Sequence, residues 1–400
     1  MSKADGLEGM LTGLLQASHQ ASFEQLAALV EEHAAQAGLD EVLIYVADMQ
    51  RATLRLMPTL AAEGPAAELR VDSTLAGRAF QEVRILQQGE HWWVPLLDGT
   101  ERLGMLRVSG RSRRTPEVGR HLATLVALLL VSQRAHSDTY ARLIRSRPLN
   151  VAAEMQWQLM PPTTFSTPEV TVGAVVEPAY EVGGDVYDYA LEDDTLHLAV
   201  FDGMGHDVSA GLTANLAMAS CRNNRRQGMD LIANSVAIEQ VLIAEFGRGT
   251  RFVTAILADL DIRTGMLTWV NRGHPLPIVV REGRWSSVLS CPPAHPLGLD
   301  LDLPVTLCRD QLQPGDRLLI YTDGIVEAGA PQGAEFGLDR FVDFIIRHNT
   351  AELPVPETLR RLIRNVLDYH DGHLTDDATV LLVEWHGSAH EPLTLRPPVD

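Results

Sequence analysis

Apolar positions recur at helical spacing and then at strand spacing through the first third of the chain. The predicted elements are a helix at 22–38, two strands within 41–58, a hairpin at 91–110 and a helix at 116–133. The first helix is expected to stop at Gly38, and the hairpin to turn at Asp98-Gly99. Trp92 and Trp93 are neighbours on one predicted strand, so one should point to each face and pack in the core.

With a short helix between the strand pair and the hairpin, the region 18–135 resembles a GAF domain, a small sensing module. The resemblance rests on the order of the elements, and it implies a ligand or protein partner that the sequence does not identify. Residues 1–17 are predicted to be flexible or helical.

Residues 136–162 are predicted to form a helical linker. After Pro148, apolar and amide side chains recur on one helical face until Pro161-Pro162 ends the helix. The members of this face are Leu149, Ala152, Ala153, Gln156 and Leu159. Such a face is typical of a helix docked on a core. Because the helix also connects the two parts of the chain, it suits transmission of a signal, with Gln156 and Leu159 as regulatory contacts.

The region 163–387 contains many short apolar runs joined by polar turns, which predicts a strand-rich domain. Helical periods interrupt the strands at about 207–247, as two consecutive helices, and at 356–370. Strands in quantity with helices in blocks predict an α/β (α+β) sandwich of sheets flanked by helices. The tail, 388–400, has the composition of a disordered segment.

The charge, the hydropathy and the cysteine spacing of the chain argue against a nucleic-acid partner, a membrane span and a cysteine-based site. The 400 residues include 52 acidic and 33 basic side chains, and the net charge of −19 disfavours nucleic acid as a partner. The most apolar run, 122–131, is too short to span a bilayer, so a cytoplasmic protein is expected. Cys221, Cys291 and Cys308 are widely spaced, which predicts neither a disulfide framework nor a zinc site.

Aspartates stand at the boundaries of four predicted strands. Asp185 precedes one strand and Asp202 ends the next, Asp323 ends a later strand, and Asp376-Asp377 opens the last. Each alone could be an ordinary turn or strand cap. Gathered at one edge of a sandwich, they would repel one another unless cations neutralise them. Mg²⁺ or Mn²⁺ favours such oxygen ligands, and a pair of these ions is a common device for attacking a phosphoryl group.

Eight segments then resemble, in order, the metal-dependent protein phosphatases of the PPM class, and within it the bacterial SpoIIE/RsbU branch. They are EVGGDVYD, FDGMGHDVSAGL, FVTAILADLD, VNRGHPLPIVV, HPLGL, LQPGDRLLIYTDGIVEA, FGLDRF and DDATVLLVEW. The resemblance spans about 170–386 and implies an αββα sandwich with two Mn²⁺ or Mg²⁺ ions.

By resemblance, four aspartates and one carbonyl form the catalytic metal site. Asp202 is implied to bridge the ions, and the Gly203 carbonyl to bind one of them. Asp323 and Asp376 are implied to bind the other ion, and Asp185 to support the site directly or through water. Asp377 remains an alternative to Asp376.

Two positions depart from the family pattern. Asp207 replaces a frequent glycine and could cap the following helix, and Arg272 stands where many relatives have alanine in the loop before His274. His206 and His274 follow glycines near the expected site, but a loop histidine more often satisfies a backbone group than transfers a proton, so neither is predicted to be catalytic.

The favoured function is a serine/threonine protein phosphatase in which metal-activated water attacks the phosphorus, under control of the GAF-like domain. The resemblance implies a phosphorylated anti-sigma-factor antagonist as substrate. Regulation is expected to run through the helix at 149–160, with dimerisation of the first domain and this helix. One alternative is a non-catalytic sensor or scaffold that keeps the fold. A second, a diguanylate cyclase, is suggested by the similarity of GGDVYD to the GGDEF turn, but it leaves Asp202, Asp323 and Asp376 without a role.

Overall fold

The computed structural model describes residues 3–58, 67–181, 183–205, 207–327, 336–350, 353–369, 374 and 376–387. The chain divides into two compact units, Met1–Pro148 and Leu149–Pro392. Within the described ranges, no helix has both the length and the apolar character needed to cross a membrane. The tail predicted to be disordered, 388–400, lies outside the described residues.

The first unit is a six-stranded antiparallel sheet with helices on both faces. Its elements are α1 (Lys3–Ser18), α2 (Phe23–Ala34), β1 (Glu41–Ala47), β2 (Thr53–Leu56), β3 (Glu68–Arg70), α3 (Leu75–Glu82), β4 (Leu86–Gln88), β5 (His91–Asp98), β6 (Glu101–Ser109), α4 (Thr115–Arg134) and α5 (Asp138–Ile144). The strand order is β3-β2-β1-β6-β5-β4. The predicted helices, strand pair and Asp98-Gly99 hairpin are confirmed.

Alternating side chains of this sheet supply two cores. Val94 packs in the core formed with α1, α2 and α4. On the other face, Tyr45 packs with Phe80 of α3. Trp92 lies against the first core and Trp93 lies within the second, so the prediction that the two indoles pack on opposite faces is confirmed.

The second unit contains two antiparallel sheets. Its elements are α6 (Val151–Leu159), β7 (Thr164–Ser166), β8 (Val170–Glu177), β9 (Asp185–Glu192), β10 (Thr195–Gly203), α7 (Val208–Arg225), α8 (Leu231–Phe246), β11 (Val253–Asp261), β12 (Met266–Arg272), β13 (Ile278–Arg281), β14 (Trp285–Val288), β15 (Cys308–Gln311), β16 (Arg317–Tyr321), α9 (Leu338–Thr350), α10 (Val355–Tyr369) and β17 (Ala378–Trp385). The sheets have the orders β15-β12-β11-β10-β9 and β14-β13-β16-β17-β8-β7.

These elements stack in four layers, as the sequence predicted. On β17, Leu381 belongs to the core that joins the two sheets, and the same core includes Ile238 of α8. Its neighbour Leu382 points the other way and packs with Phe341 of α9 and Leu362 of α10. Period-two alternation on the shared strands therefore places one helix pair outside each sheet, which is an αββα sandwich.

The cysteine prediction is wrong, because Cys291 and Cys308 form a disulfide with their Cα atoms 5.8 Å apart. They are 17 residues apart in sequence, and the segment between them returns to place β15 beside β12. The two cysteines meet only because β15 pairs with β12, so their spacing in the sequence does not predict the bond. Cys221 is a buried free thiol.

Candidate active site

Two of the predicted site acids face each other across the β9–β10 hairpin. Asp185 opens β9 and pairs with Asp202 of β10 in the strand register. Asp185 is buried and Asp202 is half-buried. A Cβ atom on Gly184 would lie 2.3 Å from the Gly203 carbonyl oxygen, so a residue without a side chain is needed for this close approach.

Thr322 connects this hairpin to the second sheet. Its hydroxyl donates to Asp185 Oδ2 at 2.6 Å and accepts from the backbone N–H of Thr379 at 2.9 Å. Asp323 follows at the end of β16, where a short 3-10 turn begins. The ends of β9, β10 and β16 therefore bring three of the predicted acids to one edge of the sandwich.

Asp376 and Asp377 are adjacent in sequence but differ in surroundings. Asp377 is 5% exposed, and its Oδ2 accepts the backbone N–H groups of Gly183 at 2.8 Å, Gly184 at 2.6 Å and Asp185 at 3.3 Å. Asp376 is exposed, and its Oδ1 accepts the N–H of Asp377 at 2.9 Å. Asp377 thus holds the Gly-Gly-Asp turn against β17, while Asp376 stays accessible to a ligand.

Burial and mutual repulsion raise the pKa of several of these carboxyls. Burial raises the pKa of Asp202 to about 7, and the charges of Asp323, Asp376 and Asp377 add to this effect. Burial, followed by Asp202 and Asp377, raises the pKa of Asp185 well above its ordinary value. The pKa of Asp323 is also raised, by burial and then by Asp376. Negative potential is therefore concentrated at this edge.

The donor set fits a hard divalent cation, because the side chains that converge at this edge supply carboxylate oxygens. A cation would also relieve the repulsion that raises these pKa values. In the part of the chain that the structure describes, no three histidine, cysteine or carboxylate side chains converge as a preformed cage. The arrangement is an open acidic edge that could take ions together with water ligands.

His274 lies next to the site as a neutral side chain. Burial lowers the pKa of His274 to about 3, and its Nδ1 lies 2.7 Å from the hydroxyl oxygen of Thr254. Thr254 in turn pairs with Asp202 in the β10–β11 register. An imidazole that stays neutral near pH 7 does not suit a proton donor. His206 lies outside the described residues.

The predicted helix cap at Asp207 is confirmed. Its carboxylate accepts the N–H of Ala210 at 2.8 Å and begins α7 directly after the strand that carries Asp202.

Arg272 is part of a buried network that the sequence reasoning missed. The guanidinium is fully buried and donates to Glu239 Oε2 of α8 at 2.5 Å and to the carbonyl oxygen of His295 at 2.9 Å. His295 Nε2 lies 2.8 Å from Glu239 Oε1. The signal was an arginine at the end of an apolar strand, because a buried guanidinium needs an acidic partner elsewhere in the chain.

Helix α6 contacts the Gly-Gly-Asp turn. Gln156 is fully buried, and its amide donates to the carbonyl oxygens of Gly183 at 2.8 Å and Asp185 at 3.3 Å. Ala152 and Ala153 are buried on the same helix, but Leu159 is 40% exposed, so its predicted place on the docked face is wrong. The helix ends at Leu159, which releases that side chain from the packed face.

Two sheets packed between helix pairs, with acids gathered at the strand ends, define a PP2C-type phosphatase domain. The family model for stage II sporulation protein E (SpoIIE) matches residues 192–386.

Curated relatives match part of the chain at low identity. Protein IcfG of Synechocystis is 26% identical over 264 residues, which cover 59% of this chain and 41% of the relative. Phosphoserine phosphatase RsbP of Bacillus subtilis is 22% identical over 221 residues, covering 54% of this chain and 52% of the relative. The chain thus spans about half the length of these relatives.

A solved structure supports the same fold. The RsbU and RsbW domains of Rv1364c from Mycobacterium tuberculosis match with a TM-score of 0.50 and 22% identity, covering 57% of this chain and 64% of that one. At this identity the match bears on the fold alone.

Proposed function

We propose that the chain is a metal-dependent protein phosphatase acting on phosphoserine or phosphothreonine. The observation that carries the proposal is the convergence of acids from separate strands on the Asp185–Asp202 pair, with carboxyl pKa values raised by burial and by one another. Such a cluster is unfavourable without cations and suits chemistry that needs them. The phosphoserine phosphatase RsbP as a relative is in keeping with this reaction.

Each acid has a proposed part in the site. Asp202 would bridge two Mn²⁺ or Mg²⁺ ions, with the Gly203 carbonyl on one of them. Asp323 and Asp376 would hold the other ion. Bound ions of this kind neutralise developing charge and acidify water.

The surrounding residues keep these ligands in place. Asp185 is held by the Thr322 hydroxyl and supports the site from the buried side. Asp377 fixes the turn that carries Asp185 through its three backbone hydrogen bonds. We therefore favour Asp376 over Asp377 as the ligand.

A direct displacement by water fits the side chains at hand. Cys221 is buried with its pKa raised to about 12, and Cys291 and Cys308 are bonded to each other, so no described cysteine is a ready nucleophile. The neutral His274 does not serve as an acid. The attacking water would lose its proton to solvent and the leaving oxygen would take one from water, while cations held by the acidic edge would offset the phosphoryl charge, so that no phosphoenzyme is needed.

We further propose a bacterial signalling role in which the substrate is a phosphorylated anti-sigma-factor antagonist. The support is the match of residues 192–386 to the SpoIIE family model, together with the similarity to RsbP. The first unit would act as a GAF-like sensor with its own ligand or partner, in a cytoplasmic protein that can form homodimers.

Regulation would pass through α6, since Gln156 binds the carbonyls of the turn that carries Asp185. Exchanging Gln156 for alanine should change basal activity, and exchanging the exposed Leu159 should matter less. If both variants keep the basal activity of the unmodified chain and the same control by the first unit, α6 does not transmit regulation.

The test of the central proposal is hydrolysis of an aryl phosphate by the full chain with Mn²⁺, Mg²⁺ or chelator. We expect metal-dependent turnover that is lost in Asp202→Asn and Asp323→Asn but kept in Asp194→Asn, an exposed acid at the far end of the same hairpin. Absence of turnover with either metal would favour the non-catalytic scaffold. Guanine-nucleotide cyclisation instead would favour the cyclase.

A further inference from the structure

Three large apolar side chains are exposed where β10 leads into α7. Met204 is 38% exposed, Val208 is 45% exposed and Leu212 is 46% exposed. We call them the α7 patch. Val208 and Leu212 are one helical turn apart, so they lie on the same face of α7. Exposed apolar side chains that cluster in this way mark contact surfaces more often than isolated ones do.

The patch is confined to the end of α7 that is next to the acids. Farther along the exposed side of the same helix, the corresponding positions are Ala219 and Asn223, which are small or polar. Leu216, between Leu212 and Ala219, is partly buried against the core. The exposed apolar character therefore belongs to the first two turns and is not a general property of the helix.

The connection from Asp202 to the patch is short. Met204 follows Asp202 by two residues, and its N–H donates to the Phe252 carbonyl at 3.1 Å, which fixes the loop beside β11. Asp207 then caps α7, so Val208 starts the helix at a defined place. The patch and the acidic edge are thus adjacent parts of one surface.

A phosphoserine has a single methylene between its main chain and the ester oxygen. To bring the phosphorus to Asp202, the substrate main chain must pass close over this surface, and the residues on either side of the phosphoserine must contact it. Polar or charged neighbours would leave the exposed apolar side chains of the patch without an apolar partner. Apolar neighbours would instead cover the α7 patch.

We propose that the α7 patch is a docking surface for apolar residues that flank the phosphoserine of a protein substrate. This inference rests on the proposed phosphatase function and adds a substrate preference to it. Met204, Val208 and Leu212 would determine specificity by binding the segment around the phosphate, without taking part in the chemical step.

Two synthetic phosphoserine peptides of equal charge test the proposal, one with leucines and one with serines on both sides of the phosphoserine. Their binding to the full-length Asp202→Asn chain is measured by fluorescence polarisation, and their hydrolysis by the unmodified chain is followed in parallel. We expect the leucine peptide to bind about tenfold or more tightly, as burying even one such side chain allows. The same ratio should appear in KM, with kcat little changed.

The paired variants are Val208→Gln with Leu212→Gln, and Met266→Gln as the control. Met266 is a similarly exposed apolar residue, 39%, at the opposite end of β12 from the site. The double variant should lose the preference for the leucine peptide while aryl phosphate hydrolysis stays within about twofold. The Met266→Gln control should keep both the preference for the leucine peptide and the aryl phosphate hydrolysis.

The outcomes separate the docking surface from the phosphatase proposal. If aryl phosphate is not hydrolysed but the double variant still loses the binding preference, the docking surface stands and the proposed activity fails. If the unmodified chain does not discriminate between the peptides, or the double variant discriminates equally well, the docking surface is refuted. The docking surface is also refuted if the only effect of the double variant is on the particle mass in solution, measured by light scattering, because the patch would then join two copies of the chain.

Discussion

The different surroundings of Asp376 and Asp377 lead to opposite expected effects of removing them. In Asp377→Ala, the N–H groups of Gly183 and Gly184 lose an acceptor at 2.8 Å and 2.6 Å in a buried position, and the third donor at 3.3 Å contributes less. Leaving a buried donor unsatisfied costs about 1–3 kcal/mol. Two such donors lower the free energy of unfolding by about 2–6 kcal/mol.

Part of that loss is offset. Burial raises the pKa of Asp377, so removing its carboxyl also relieves a desolvated charge. A net loss of about 2–4 kcal/mol corresponds to a fall in Tm of about 4–16 °C for the transition of the second unit. Asp376 is exposed and should change Tm by no more than about 2 °C on replacement by alanine.

Calorimetry gives Tm, and Mn²⁺-dependent hydrolysis of an aryl phosphate well below the transition gives the activity. We expect Asp376→Ala to keep stability and lose activity, and Asp377→Ala to lose stability and to keep activity in proportion to its folded fraction. The assignment of roles is refuted if Asp377→Ala melts like the unmodified chain without activity while Asp376→Ala is fully active.

Three further perturbations follow from the same region. The Tm of the metal-free chain should fall as pH rises from about 4 to about 8. The pKa of Asp202 is raised to about 7 in the folded state, so its contribution to the free energy of unfolding is present in full below its ordinary pKa. This contribution is lost as the pH rises through about 7, and a Tm that does not change with pH would contradict the argument. Gly324→Ala should destabilise strongly in a thermal melt, since its Cβ would lie 1.9 Å from the Asp377 carbonyl oxygen, and an unchanged Tm would show that the turn can move. Arg272→Met should cost about 3–5 kcal/mol in urea unfolding by leaving the buried Glu239 carboxylate without its guanidinium partner. Adding Glu239→Leu should recover only part of this loss, because His295 and the Asp300 N–H then lose the same acceptor; no recovery at all would argue against the ion pair as the cause.

Local patterns were sufficient to predict the layers and the strand ends. Short apolar runs predicted consecutive strands after Asp185 and before Asp202, and the register of the β9–β10 hairpin places these two residues opposite each other. Two consecutive helices after Asp202 were also predicted and appear as α7 and α8. These features depend on residues close together in sequence, where periodicity is informative.

Features that depend on distant contacts were not predictable. Nothing in the Asp376-Asp377 pair indicates which carboxyl is buried, because the answer depends on a turn 194 residues earlier. The Cys291–Cys308 bond likewise requires β15 to lie beside β12. Helix α9 was not predicted, although the buried Phe341 and Ile345 are one helical turn apart. The segment FGLDRF, which overlaps the start of this helix, was used only as a family motif.

The position of β17 has a consequence for the time at which the protein becomes functional. This strand is the last described element of the chain, yet it lies inside its sheet, between β16 and β8, and the residue before it anchors the turn that carries Asp185. A chain still on the ribosome has made Asp185, Asp202 and Asp323 long before it can complete the sheet that holds them together. The edge that we propose as the active site therefore assembles only after β17 has been synthesised, so a product that stops short of β17 would be inactive rather than partly active.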